Sequence, residues 1–119
     1  MNKPTRTYDQ FEIVKVPFPF SDVNSSKIRP ALVLTSAKQF NAKIGLSVLA
    51  MITSVKIDRN FWPGDVSIEN LDVAGLPVPS IVRMKLFTLD HRIILDRLGT
   101  LSGPDRLKVQ EKLREIFCI

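Results

Sequence analysis

Eight prolines and five glycines, spread at short intervals along 119 residues, constrain this chain more than any other feature. They divide it into apolar runs that are short for helices and about the length of strands. Phe11 to Val16 is the first run, and Pro17 and Pro19 are expected to close it. A polar loop, Ser21 to Lys27, then leads through Arg29-Pro30 into Ala31 to Thr35. Ser47 to Thr53 forms a third run, and Asp65 to Glu69, which alternates weakly, a fourth. Gly75 to Pro79 is rich in turn residues and precedes Ser80 to Phe87, and a last short run surrounds Ile93 to Leu98. Short strands at near-regular spacing predict a mainly β protein, a small antiparallel barrel or sandwich.

The C-terminal segment has a different signature. Ser102-Gly103-Pro104-Asp105 predicts a helix start, with a hydroxyl cap, an early proline and an acid three residues on. Beyond it Leu107, Leu113, Ile116 and Phe117 are expected on one face, with Lys108, Glu111, Lys112 and Glu115 turned largely away. Such a helix would close one side of the barrel or, alternatively, bind a partner.

A chain of this mass can bury about two-thirds of its unfolded surface. That suffices for one core, and residues 1–119 are expected to form a single domain. Charged residues are 24% of the chain, which argues against general disorder. The longest uncharged apolar stretch, Ile44 to Val55, has twelve residues against the ~20 of a membrane helix, so no membrane span is expected. Lys3, Arg6, Asp9, Glu12 and Lys15 leave no room for an apolar signal segment. With Cys118 as the lone cysteine, this predicts a reduced, cytoplasmic setting. Lys and Arg exceed Asp and Glu by 17 to 12, a net charge of +5. That excess fits a polyanionic partner such as nucleic acid, and equally a solvated surface, because the basic residues are scattered.

Several chemistries are excluded by residue type. One His and one Cys cannot assemble a zinc site. His91 follows Leu89-Asp90 in an expected turn and reads as a solvent-facing loop residue. The glycines are too far apart for a phosphate-cradling loop. Asp58, Asp65, Asp72, Asp90 and Asp96 are dispersed, with no paired-carboxylate spacing. Neither metal nor organic cofactor is expected. Two features remain. Arg29 precedes Pro30, which favours extended backbone and sets a guanidinium where a polar loop becomes a buried strand. There it could hold phosphate oxygens in a planar fork, or simply pair with a surface acid. Thr53-Ser54 ends an apolar strand with two hydroxyls, whose ordinary role is bonding to local backbone.

Four segments in order, Phe11 to Asp22, Arg29 to Ser36, Ala50 to Ser54 and Pro79 to Asp90, together resemble the MazF/PemK family of toxins from type II toxin–antitoxin systems. Arg97 to Ser102 and the helix after it fit the same pattern, so the resemblance spans roughly residues 8 to 118. It implies an SH3-like small antiparallel β-barrel with a C-terminal helix, acting as a homodimer. It further implies a metal-independent endoribonuclease that cuts single-stranded RNA to 2′,3′-cyclic phosphate and 5′-OH ends. The family's catalytic arginine stands in an Arg-Pro pair before an apolar strand, which here is Arg29. Its catalytic Thr or Ser ends the next long strand after an isoleucine, which here is Thr53. Ser21, Asp22, Lys27, Ser54 and Lys56 are the expected substrate-binding residues, and Asp22 and Glu12 are candidate bases. Phe11-Glu12 stands where Gly-Asp commonly opens the family's first strand. The implied partners are single-stranded RNA and a cognate antitoxin, through which the toxin would meet operator DNA indirectly. The alternatives are a CcdB-like gyrase-poisoning toxin and a catalytically silent SH3-like binding module.

Overall fold

The computed structural model describes residues 6–18, 27–56 and 60–119. Six strands form one antiparallel sheet: β1 (Glu12–Phe18), β2 (Lys27–Val33), β3 (Leu46–Ser54), β4 (Val66–Ser67), β5 (Ser80–Asp90) and β6 (Asp96–Thr100), in the order β4-β5-β3-β2-β1-β6. A π-helical turn (Ala37–Asn41) runs into the short helix α1 (Ala42–Ile44); α2 (Leu71–Ala74) follows β4, and α3 (Gly103–Phe117) ends the fold. This is the mainly β, SH3-like architecture with a C-terminal helix that the resemblance implies, built as a curled half-barrel.

The apolar runs do not alternate strictly because the sheet is buried on both sides. Ile13, Leu32, Ala50, Ile52 and Val82 point to one face, where Leu101, just before α3, and Val109 of α3 complete a core. Val14, Val16, Ala31, Val33, Leu49 and Leu89 point to the other and pack with Tyr8 and Ile94. Curling is visible in one contact. Phe18 of β1 lies 6.0 Å from Phe87 of β5, ring to ring, although two strands separate them in the sheet. In β5 the register slips opposite Ala50 and Met51, leaving Met84 and Lys85 unmatched, a bulge that bends the longest strand.

Prolines behave less disruptively than expected. β1 does not stop at Pro17 but runs on to Phe18, with Pro17 facing Ile28 of β2. β6 pairs only with residues 12–15 of β1, so at Pro17 the other side of the strand has no ladder to interrupt. The same logic serves Pro30, which faces Lys15 of β1 while the β2–β3 ladder is confined to residues 31–33. Phe11 takes up the left-handed φ of 69° at the position where the family's glycine commonly stands. Its ring is buried under the Arg106 guanidinium, 5.6 Å away. That burial holds a backbone conformation that disfavours any side chain.

The helix start is as expected: Ser102 caps α3, its Oγ accepting from the Asp105 N–H at 3.3 Å. The inward face differs. Asp105 and Val109 are the buried residues of α3 and Leu113 packs partly, whereas Leu107 and Phe117 are exposed. The buried stripe follows the i, i+4 row 105–109–113 because the Asp105 carboxylate is needed underneath. It accepts the backbone N–H groups of Glu69 and Asn70 at 3.1–3.2 Å, tying α3 to the entrance of α2. Among the described residues, no helix is long and apolar enough to cross a membrane.

Candidate active site

Register brings the two singled-out residues together. In β2 and β3, Ala31 faces Met51 and Val33 faces Leu49. Carried two residues further, the same register sets Arg29 opposite Thr53, on one face of the sheet. Pro30 between them supplies no N–H, and the ladder stops at Ala31. A transverse row therefore crosses the sheet: Ser67, Ile81, Thr53, Arg29, Val16. Ile81 and Val16 are buried, Ser67 is exposed at the β4 edge, and Thr53 and Arg29, half-buried, are the adjacent polar pair of the row that a ligand can reach.

Neither side chain is committed to another described residue. Among the described residues Arg29 makes no ion pair and the Thr53 hydroxyl no hydrogen bond. The surface-pairing reading of Arg29 thus has no described partner to support it. Ser54 behaves in the ordinary way, its Oγ accepting from the Lys56 N–H at 3.2 Å. Lys27 opens β2 across from Phe18, and Lys56 follows β3 in a turn; both are exposed. Ser21 and Asp22 lie outside the described residues. Glu12 is at the other end of β1, four residues from Val16 and so about 13 Å along the strand. Its carboxylate is held by Arg97 and by the Asp9 N–H.

Among the described residues, the acid beside the site is already paired and the exposed charges are cationic. Asp65 is turned inward onto Arg83. Lys27, Arg29 and Lys56 are left on the accessible side. Among the described residues no three His, Cys, Asp or Glu side chains gather where they could share a metal ion.

His91 is a correction to the sequence reading. It does sit in the turn after β5, but it is only 2% exposed. Its Nε2 lies 2.6 Å from the Ser47 Oγ, and its ring meets the Tyr8 ring edge-on at 5.5 Å. Burial pushes its pKa below the ordinary imidazole value. The curl of the sheet folds Tyr8 and the turn over the end of β3, which a local turn signal does not reveal.

Spacing also gave no hint of a buried cluster beside the site. Arg83 of β5 faces Met51 on one side and Asp65 on the other, in the row next to that of Thr53. Its Nε and Nη2 donate to the two Asp65 oxygens at 3.2 and 2.9 Å, and Nη2 donates to the Asn60 carbonyl at 2.6 Å. The Trp62 ring covers the guanidinium at 4.9 Å, and the Trp62 N–H donates to Asp65 at 2.9 Å. Asp65 and Arg83 are 18 residues apart.

Sequence comparison decides the family: a family model described as the PemK-like, MazF-like toxin of type II toxin–antitoxin systems matches residues 9–117. The chain belongs to this toxin family. Solved structures carry the same fold. MazF of Deinococcus radiodurans superposes with a TM-score of 0.73 at 22% identity, covering 96% of this chain and 99% of that one. The MazE–MazF complex of the same organism gives 0.75 at 21% identity, with coverage of 96% and 99%. An endoribonuclease from a Mycobacterial species, solved with its cognate antitoxin, gives 0.72 at 15% identity, covering 94% and 96%. Among curated proteins, none matches in sequence. As in the sequence reading, the Arg-Pro pair and the Ile-Thr strand end of the PemK-like chain fall within the matched region.

Proposed function

We propose that this toxin is an endoribonuclease that cuts single-stranded RNA, with Arg29 and Thr53 as its catalytic pair. The observation that carries the reading is the shared row: a guanidinium and a hydroxyl, neither paired among the described residues, level with each other at the open end of the β2–β3 ladder. In RNA the nucleophile can come from the substrate. The 2′-oxygen attacks the neighbouring phosphorus, the bond from phosphorus to O5′ breaks, and a 2′,3′-cyclic phosphate and a 5′-OH result. The 2′-OH gives its proton to a base, the role for which Asp22 is the candidate, and the departing O5′ takes one from Arg29, which solvent then reprotonates. Between these events two negative charges gather on the non-bridging oxygens. A fixed guanidinium and a hydroxyl donor stabilise that charge more than the ground state, which is the requirement for catalysis.

In this reading Arg29 binds the scissile phosphate and supplies a proton, and Thr53 donates to a non-bridging oxygen. Lys27, Ser54 and Lys56 line the path of the strand, and Ser21 and Asp22 belong to the loop that shapes it. The mechanism requires no metal or organic cofactor. The solved relatives that carry an antitoxin support a cognate antitoxin as the protein partner of this chain, and the family supports a homodimer. DNA would be met only through the antitoxin.

The test is cleavage of a long, weakly structured RNA in EDTA, with the ends characterised at each cut. Wild-type protein should give discrete cuts with cyclic-phosphate ends. Arg29→Ala should give none, and Thr53→Val should be slower by about 10²–10³, the usual loss for one transition-state donor. If Arg29→Ala cuts at the wild-type rate, the assignment is wrong.

A further inference from the structure

Two large aromatic side chains stand in the open beside the catalytic row. Phe61 is 70% exposed and Trp62 43%, although both types gain much from burial. Trp62 is nevertheless fixed. One side of its ring lies against Arg83 at 4.9 Å, and its N–H and carbonyl are bonded to the carboxylate and N–H of Asp65 at 2.9 and 3.1 Å. Arg83 is in turn clamped by Asp65 and by the Asn60 carbonyl. With its backbone fixed by Asp65 and its ring lying against Arg83, the part-exposed side chain has little freedom left to give up on binding.

Its position points to the occupant. Arg83 belongs to the row adjoining that of Thr53 and Arg29, two residues along and one strand across from Thr53, about 8 Å away, and two strands across from Arg29, about 12 Å away. Trp62 therefore overhangs the accessible face next to the proposed phosphate site. Lys56, Arg29 and Lys27 make that surface cationic, and the nearest described acid, Asp65, is spent on Arg83. A flat aromatic platform on the same face as a row of cations is the arrangement that holds single-stranded nucleic acid, with charge tracking the backbone and the ring stacking on a base. We propose that Trp62, with Phe61 beside it, stacks on a base flanking the scissile phosphate, and that the Asp65–Arg83 pair is the mount that positions it. The inference rests on the nuclease reading above.

The chain contains a single tryptophan, so its emission reports this ring alone. The probe is a short unstructured RNA carrying a mapped cut site, with a 2′-O-methyl group at the cut nucleotide to block cleavage. Titrating it into wild-type protein should quench the emission to saturation. On the cleavable RNA, Trp62→Ala should lower kcat/KM roughly tenfold or more, mostly through KM, and Trp62→Phe should restore most of the loss. Phe61→Ala should weaken RNA binding without changing the fold. Binding and cleavage of RNA with unchanged tryptophan emission would overturn the proposal, as would a Trp62→Ala variant, shown to be folded by circular dichroism, with wild-type KM. Quenching by an acidic peptide but not by RNA would also overturn it, assigning the platform to a protein. Those outcomes leave the nuclease reading standing; if wild-type protein cuts no RNA at all, that reading fails and the stacking role fails with it.

Discussion

Replacing Asp65 by Ala should destabilise the toxin by about 3–5 kcal/mol, the usual penalty for leaving one member of a buried ion pair without its partner. The side chains of Arg83 and Asp65 are 5% and 7% exposed. The substitution would remove both carboxylate bonds to Arg83 and the one that holds the Trp62 N–H. Of the described bonds, the one to the Asn60 carbonyl, at 2.6 Å, would remain, but a carbonyl carries no full charge to replace the carboxylate. Unfolding entropy of about 2.1 cal/mol/K per residue over a chain of this length makes each kcal/mol worth about 4 °C, so the midpoint should fall by about 12–20 °C. Thermal melts at one fixed protein concentration, followed by far-ultraviolet circular dichroism, measure this directly. Removing both partners together, Asp65→Leu with Arg83→Met, should recover most of the loss, because no charge is then stranded. A fall of less than about 3 °C for Asp65→Ala would refute the premise that this pair is desolvated.

Three further outcomes follow from other contacts. His91 is held neutral by burial, so below about pH 6.5 the unfolded chain takes up a proton that the folded chain resists. Stability should be fullest above that pH and decline by up to about 1.4 kcal/mol per pH unit as pH falls toward the lowered folded value. Urea titrations at several pH values should show this component of the slope disappear in His91→Gln. Asp105→Ala would strip the acceptor from the Glu69 and Asn70 N–H groups beneath α3 and should lower the urea-unfolding free energy by about 2–4 kcal/mol. A Cβ on Gly99 would come within 2.3 Å of the Val73 carbonyl oxygen, where α2 lies on β6. Gly99→Ala should therefore lower the melting midpoint by several degrees, corresponding to roughly 1–3 kcal/mol of overpacking.

Much of the fold was legible because short-range punctuation and strand propensity act over the same few residues that define each element. The six runs correspond to six strands, and the Ser102 cap marks the start of α3. What the runs could not reveal was which side of a strand has a neighbour at a given residue. Pro17 is read locally as a stop, yet it is tolerated because β6 has already left β1 at that point. The helix face was misjudged for a related reason. Leu107 looks like a core residue by type, but the buried stripe is set by the need to satisfy backbone N–H groups of another segment with Asp105.

The candidate site shows the same division. Arg29-Pro30 and Ile52-Thr53 are visible as local signatures, since each depends on adjacent residues: a guanidinium on extended backbone before a proline, and a hydroxyl closing an apolar strand. That these two stand level on one face follows from the β2–β3 register, a pairing between segments about twenty residues apart. The Arg83–Asp65–Trp62 cluster beside them depends on the β4–β5 pairing and on the burial of an ion pair. The burial of His91 depends on the curl of the whole sheet. Local backbone preference and residue type are properties of neighbours along the chain, and they are written there. Charge burial, register and access to a shared face are properties of neighbours in space, and they come into being only when the sheet closes.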